Sequence, residues 1–394
     1  MKKMAYILIT FAVIIYGCTK PYSPPGVATN ANILVVEGLI NTNDSTIIKL
    51  SRTVIIANKT TANPESKAIV TIENAQATVG TLTETVKGTY VIPNLKLDNT
   101  RQYRVRVKTS NGKTYLSDLV DAKVAPPIDS IGFTVTGTGL QIYANAHDIT
   151  NNTRYYKYAY HETWQFNARY PTGYISDGVQ LHGRTVAQQI FYCFGNDTSA
   201  NIVINSTAAL SQDVVYQFPI TTIGSTSEKI ESKYSILLSQ QALTKDAYAF
   251  WNLLKKNTEQ LGSIFDAQPS QLTGNIHNIN DSSEPVIGYI SAGTVQKKRV
   301  YITKSQLPQS WQAIYPYSCS LDTGLNTVIE PKKPPYPWIY PLINYLPVNG
   351  YVIGIVTPGP DFANPENNTV IIYTSVPCAD CTIRGTTKQP IFWK

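Results

Sequence analysis

Apolar and polar residues alternate with a period of two along most of this chain, and one stretch carries the helical period instead. In "YRVRVKT", Tyr103, Val105 and Val107 fall on one face while Arg104, Arg106 and Lys108 fall on the other, the pattern of a half-buried strand. Asn111 and Gly112 follow, predicting a two-residue hairpin turn with positive backbone angles, and "KTYLSDLV" returns along it. "NILVVEGLI", "STIIKLSRTVII", "AIVTIE" and "GTYVIP" add strands separated by Gly, Pro, Asn or Asp. Residues 31–124 therefore read as an N-terminal β-sandwich. Adjacent Pro126 and Pro127 cannot both sit inside a paired strand, which places a boundary there.

A second sandwich is expected over residues 128–330. In "RYYKYAYHETWQF", Tyr156, Tyr158, Tyr160, Trp164 and Phe166 share a face that reads as core, opposite Lys157, Ala159, His161, Thr163 and Gln165. Ala247, Phe250, Trp251, Leu254 and Leu261 recur on one face of a 3.6-residue helix, with Thr244 as N-cap and Gly262 as terminator, predicting a helix over 244–262 clamped onto the second sheet. Residues 331–394 are proline- and aromatic-rich, as in "PPYPWIYPLINYLP", and too apolar to be disordered; this tail should pack on the body. The expected fold is thus mainly β: two β-sandwich domains of immunoglobulin or transthyretin-like type, one inserted amphipathic helix, and a C-terminal tail pinned by disulfides.

The first residues say where the protein works. Lys2 and Lys3 precede an apolar run from Ala5 to Gly17, 13 residues long. As a helix that run reaches about 20 Å against a hydrocarbon core of about 30 Å, so it is a signal peptide (1–17) and not a span. Gly17 before Cys18 resembles the bacterial lipoprotein box, in which the cysteine is acylated and becomes the new N-terminus. More than one acyl chain makes such anchoring stable. Residues 18–30, with Pro21, Pro24 and Pro25, then form an extended lipidated tether.

Charge narrows the choice of partner. The net charge of +7 falls to +5 without Lys2 and Lys3, and no Lys/Arg cluster is dense enough to track phosphates; "KKR" at 297–299 reads as a solvated face. Nucleic acid is excluded as a partner. Beyond Cys18, four cysteines remain: Cys193, Cys319, Cys378 and Cys381. A zinc site would need a second close pair, and the residues after "CADC" do not read as the helix a redox pair requires. Disulfides are expected, with Cys378 and Cys381 reaching outward to Cys193 and Cys319 and not closing on each other.

The search for chemistry yields little. His161 and Glu162 open like HExxH, but Gln165 stands in the fifth place and the segment is a strand. "HNINDSSE" from His277 to Glu284 gathers oxygen ligands without the spacing of a calcium loop and reads as a hydrogen-bonded turn. There is no nucleophile elbow, phosphate loop or dinucleotide fingerprint. No catalytic residue, metal or cofactor is therefore expected. The candidate ligand contacts are the tail aromatics Tyr336, Trp338 and Tyr340, and His277 in the GNIHN loop.

"LVVEGLI", "KTYLSDLVDAKVAPPIDSIGF", "HETWQF", the helix through "GNIHNIN", "EPVIGYISA" and "CADCTIRGTTKQPIFW" together resemble a Bacteroidota outer-membrane lipoprotein family known as a domain of unknown function. The first domain alone is similar to transthyretin-like sandwiches. Members of the family are commonly encoded beside TonB-dependent receptors. The resemblance implies a lipid anchor at Cys18, Cys378 and Cys381 as the family's cysteine pair, and an accessory role in nutrient or metal-chelate uptake as partner of such a transporter. It supplies no catalytic residues. The expected location is the outer membrane, with periplasmic or cell-surface orientation left open, since "TKPYS" has no acidic residue after the cysteine. Two alternatives stand beside this expectation: a structural or adhesive surface lipoprotein, and a hydrolase whose site is assembled from scattered residues.

Overall fold

The computed structural model describes residues 32–54, 63–176, 181–259, 272, 274–327, 346–347, 351–358 and 368–393. The signal peptide, Cys18, the tether, Leu261, Gly262 and the tail aromatics Tyr336, Trp338 and Tyr340 lie outside them.

Eight strands close into a barrel. Going round it, Gln102–Lys108 is followed by Ile69–Glu73, Thr78–Val86, Thr89–Ile92, Thr46–Arg52, Leu34–Asn41, Ser291–Gly293 and Val120–Lys123. The last strand pairs back onto the first, with Gln102 opposite Asp121 and Tyr103 opposite Val120. Leu34, Val36, Ile48, Leu50, Val70, Ile72, Tyr103, Val105 and Val107 point inward and fill the interior with side chains, as a barrel of this strand number allows. Arg104 and Arg106 point outward and clasp Glu73 from both sides.

This corrects the expected pair of β-sandwich domains. Period-two alternation says which side chains face inward, but not whether the first and last strands of a sheet meet. Here they are joined by Ser291–Gly293, which runs parallel to both Leu34–Asn41 and Val120–Lys123 and arrives from far downstream. The hairpin turn also differs from expectation. Thr109 donates its backbone N–H to the Lys113 carbonyl at 2.9 Å, so three residues form the loop, and of these Gly112 alone has a positive φ, 86°. Asn111 instead accepts from the Thr109 hydroxyl and the Lys113 N–H. A three-residue loop ending in a left-handed glycine is the next commonest hairpin closure.

Beyond Pro127 the chain builds two sheets over one shared core. Ile128–Val135, Gly139–Asp148 and Asp213–Gly224 form the smaller. The larger is ordered Tyr192–Thr198, Tyr155–Asn167, Lys233–Ala242 and Val295–Thr303, with Val203–Ser206 added beside the second strand. Tyr156, Tyr158, Tyr160, Trp164 and Phe166 lie in the core between the sheets. Tyr156 donates its hydroxyl to Asp213, and Tyr160 to Thr221 at 3.1 Å.

The helix runs over Lys245–Glu259, and the Thr244 hydroxyl accepts the Ala247 N–H at 3.1 Å as an N-cap. "KKR" is not simply solvated. Lys297 reaches Asp44 of the barrel at 2.8 Å, Lys298 donates to the Ile128 and Asp129 carbonyls, and the Arg299 guanidinium lies 3.6 Å from the Phe392 ring centre. The run ties the larger sheet to its neighbours on three sides.

Cys193 is bonded to Cys381 and Cys319 to Cys378, each with Cα atoms 5.7 Å apart. The tail cysteines thus reach outward, one into the core of the paired sheets and one toward a third sheet of Asp322–Thr327, Asn368–Ser375 and Tyr351–Pro358. Trp393 is buried edge-on against Phe194, with ring centres 5.1 Å apart. Among the described residues, no helix is long and apolar enough to cross a membrane.

The closing strand depends on glycine at one point above all. Gly293 has φ 151°, and a Cβ there would stand 2.1 Å from the Lys123 carbonyl oxygen. Gly293→Ala is expected to cost about 3 kcal/mol, combining backbone strain with displacement of a paired strand. Gly137→Ala, where a Cβ meets nothing within 4 Å, should stay within about 0.5 kcal/mol of wild type. Urea unfolding of both variants with the disulfides intact checks this; equal stability would mean that the strand does not hold the barrel shut.

Candidate functional site

Two cavities lie at the junction of the barrel with the paired sheets and another among the paired sheets alone, and their charges set them apart. The largest, about 690 Å³, runs between the linker Ala122–Pro127 and the turn Asp148–Thr153. Its ion pair, His147 to Asp129 at 2.7 Å, is exposed to water and satisfied within itself. A second, about 360 Å³, holds Glu162, Asp197 and Lys229. Glu162 is buried and fully engaged, accepting from the Tyr234 hydroxyl at 2.6 Å and from Lys229 at 2.5 Å. Lys229 also reaches Asp197 at 3.3 Å. Burial works against the Lys229 charge, but Glu162 and Asp197 outweigh it and hold that ammonium above its ordinary range. His161, next to Glu162, is exposed on the opposite face. Both groups of charges are closed networks.

The third cavity is a cleft of about 500 Å³ where four elements meet. The outer face of Leu34–Asn41 supplies Val35, Glu37 and Leu39, because the alternate residues Leu34 and Val36 fill the barrel. Lys157 and Ala159 come from the polar face of Tyr155–Asn167, whose aromatic face is core. Ser199–Ile202 forms the rim and is tied to the helix end by the Ile202 N–H donating to Glu259 at 2.6 Å. Phe250, Trp251 and Leu254 come from the helix.

The helix is held between the barrel and the larger sheet. Phe250 packs against Tyr289 with ring centres 5.3 Å apart, and Tyr248 against Tyr155 at 5.0 Å. Tyr289 stands just ahead of the closing strand, so barrel closure fixes the position of the helix. This refines the expectation that Phe250 and Trp251 clamp the helix onto the sheet: Phe250 faces the barrel-side segment, while Trp251 covers a lysine.

That lysine is the unusual group. The Lys157 ammonium sits 3.2 Å from the Trp251 ring centre, an attraction worth about 0.5–2 kcal/mol as it loses water. Among the described residues it has neither a carboxylate partner within salt-bridge reach nor a hydrogen-bond acceptor. Burial lowers its pKa to about 8, with the exposed Glu37 pulling weakly the other way. Beside it in the sheet stand Gln241 on one side and Ile204 on the other.

Of the residues proposed from sequence, His277 is exposed, 3.7 Å from Asp118, and does not line the cleft. The oxygen-rich loop after it is a turn satisfied from within: Glu284 accepts from Lys113 at 2.7 Å, Tyr115 at 2.8 Å and Asn278 at 2.6 Å. Lys157 and Trp251 were legible only as the polar face of a strand and the apolar face of a helix. A lysine set among tyrosines near the start of a long strand was the one local signal.

A family model described as a domain of unknown function, DUF4249, matches residues 19–299. The chain belongs to that family. The matched stretch contains the barrel, its closing strand, the helix and every residue of the cleft, and stops within Val295–Thr303; Cys319, Cys378 and Cys381 fall beyond it. No curated protein matches the chain. Among solved structures, Chitinase ChiA74 from Bacillus thuringiensis is similar at 13% identity over 46% of this chain, with a TM-score of 0.14. The chain spans 30% of that protein's length, and a likeness at this level carries no argument.

The lowered lysine pKa makes a stability prediction with a definite sign. Between about pH 8 and 10.5 the unfolded chain holds a proton on Lys157 that the folded chain has released, so wild-type stability rises through that window. Below it, the desolvated charge of half-buried Lys157 costs the fold about 3 kcal/mol before the indole offsets part. Lys157→Met should therefore gain about 1–3 kcal/mol at pH 7, the gain shrinking as pH climbs from 8 to 10.5. Denaturant titrations across that range test it. A gain that does not vary with pH would mean the ammonium is solvated.

Proposed function

We propose that this protein is a lipid-anchored binding protein of the outer membrane that partners a TonB-dependent transporter in the uptake of a nutrient or metal chelate. The observation that carries the binding role is the cleft: a cavity of about 500 Å³ with mostly apolar walls and few polar groups, the form and size of a small-ligand site. Its walls come from the barrel, the sheet and the helix together, so it is a product of the complete fold. The closed ion network around Glu162 supports binding over catalysis, since a carboxylate already committed to a lysine and a tyrosine has no free oxygen for proton transfer. Support for the anchor and the transporter comes from the resemblance of Gly17-Cys18 to the lipoprotein box and of the chain to lipoproteins encoded beside such receptors.

Two measurements on the native material test this reading. Mass spectrometry of the purified protein is expected to find Cys18 as the N-terminal residue with acyl chains attached. Isolation in mild detergent is expected to bring down a barrel receptor with it. A bare cysteine with the processed end elsewhere would remove the anchor, and repeated isolation without a receptor would remove the partnership.

A further inference from the structure

We infer that the cleft takes an amphiphilic organic anion, with its acid group on Lys157 and its apolar body over Trp251 and the outer face of the barrel. This rests on the reading of the cleft as a ligand site and specifies what the ligand must be.

The Lys157 ammonium is the group that calls for a partner. It carries three donors, and its contact within the protein is the face of an indole, which attracts a cation but accepts no directed hydrogen bond from most of its surface. Charges drawn out of water in folded proteins are paired, yet the ammonium of half-buried Lys157, among the described residues, is not. Lys229, half-buried among the paired sheets, shows the usual arrangement, with Glu162 and Asp197 both in contact. An anionic ligand would supply to Lys157 what Glu162 supplies to Lys229. Glu37 does not fill that role, because it is exposed and lies beyond ion-pair distance.

The rest of the lining defines the ligand body. Val35, Leu39, Ile202, Trp251, Leu254 and Ile287 present carbon, Gln241 is the neutral polar group beside the lysine in the sheet, and Ser199, Asn201 and Ser291 also line the cleft. A sugar has no acid group to pair with the lysine, and much of its ring of hydroxyls would face the apolar part of the wall. A free metal cation would be repelled by the lysine. An acid carried on an aliphatic or aromatic body satisfies both parts of the site, and an anionic chelate of modest size falls within the same class.

A matched pair of fluorescent probes tests this on the full mature chain at pH 7. 8-Anilinonaphthalene-1-sulfonate carries an acid group, and N-phenyl-1-naphthylamine has the same rings without it. Wild type is expected to prefer the sulfonate. Lys157→Met should weaken the sulfonate at least about tenfold and leave the neutral amine within about twofold, while Lys157→Arg retains the preference. Trp251→Ala should weaken both probes. Displacement of the dye by decanoate but not by decan-1-ol extends the result to carboxylates; equal displacement by both would overturn the requirement for an acid. If Lys157→Met leaves the sulfonate unaffected while Trp251→Ala still weakens both probes, the anion inference falls and the ligand cleft stands. If neither substitution alters either probe, both fall. Lys157→Met removes a half-buried charge with little change of volume, so loss of folding does not obscure the reading.

Discussion

A strand of three residues holds this molecule together. Ser291–Gly293 lies parallel between Leu34–Asn41 and Val120–Lys123, and without it the sheet of the first hundred residues would have two open edges. Open edges are a liability, and closure is the most complete way to remove them. The constraint is severe because the closing segment belongs to a distant part of the chain. Everything between Lys123 and Ser291 must be built and then led back to the same seam. Two glycines mark where it returns: Gly288 approaches the Val36 carbonyl, and Gly293 the Lys123 carbonyl, closer than any side chain permits.

The position of the cleft follows from that return path. Val286–Gly288 pairs in parallel with Leu34–Val36, along the same edge on which Ser291–Gly293 then pairs with Leu39–Asn41. They place Tyr289 against Phe250, and the helix is thereby set over the polar face of Tyr155–Asn167. A lysine that would be solvated on an open sheet becomes the floor of a cavity. Its charge is a cost to the fold, and natural proteins tolerate such costs where a site needs an unspent interaction.

At the far end, stability has a different source. The two disulfides span 188 and 59 residues, and cross-links closing loops of this length remove several kcal/mol of chain entropy from the unfolded state, about 4 kcal/mol for the shorter one. Cys381 enters the main core, and Arg384 beside it pairs with Glu228 and covers the Phe166 ring at 4.7 Å. The last residues then lie along the larger sheet, with the Tyr301 hydroxyl donating to the Phe392 carbonyl. The small C-terminal sheet is therefore fastened to the body by covalent and aromatic contacts.

By itself the sequence determined the local faces. Alternation in "YRVRVKT" separated the barrel interior from the arginines that hold Glu73, the tyrosine series of Tyr155–Asn167 marked the core, and Thr244 marked the start of the helix, because these patterns depend on neighbours two to four residues apart. The tail cysteines were legible as outward-reaching partners for a similar reason: the residues after "CADC" do not read as the helix a redox pair needs, and the chain has no second close pair for zinc. Only the tertiary structure decided that the first sheet closes, that the glycine after Asn111 alone takes the left-handed turn, and that "KKR" joins elements instead of facing water. The site belongs to that second group. Lys157 and Trp251 stand 94 positions apart, and their meeting depends on a strand pairing that no local period encodes.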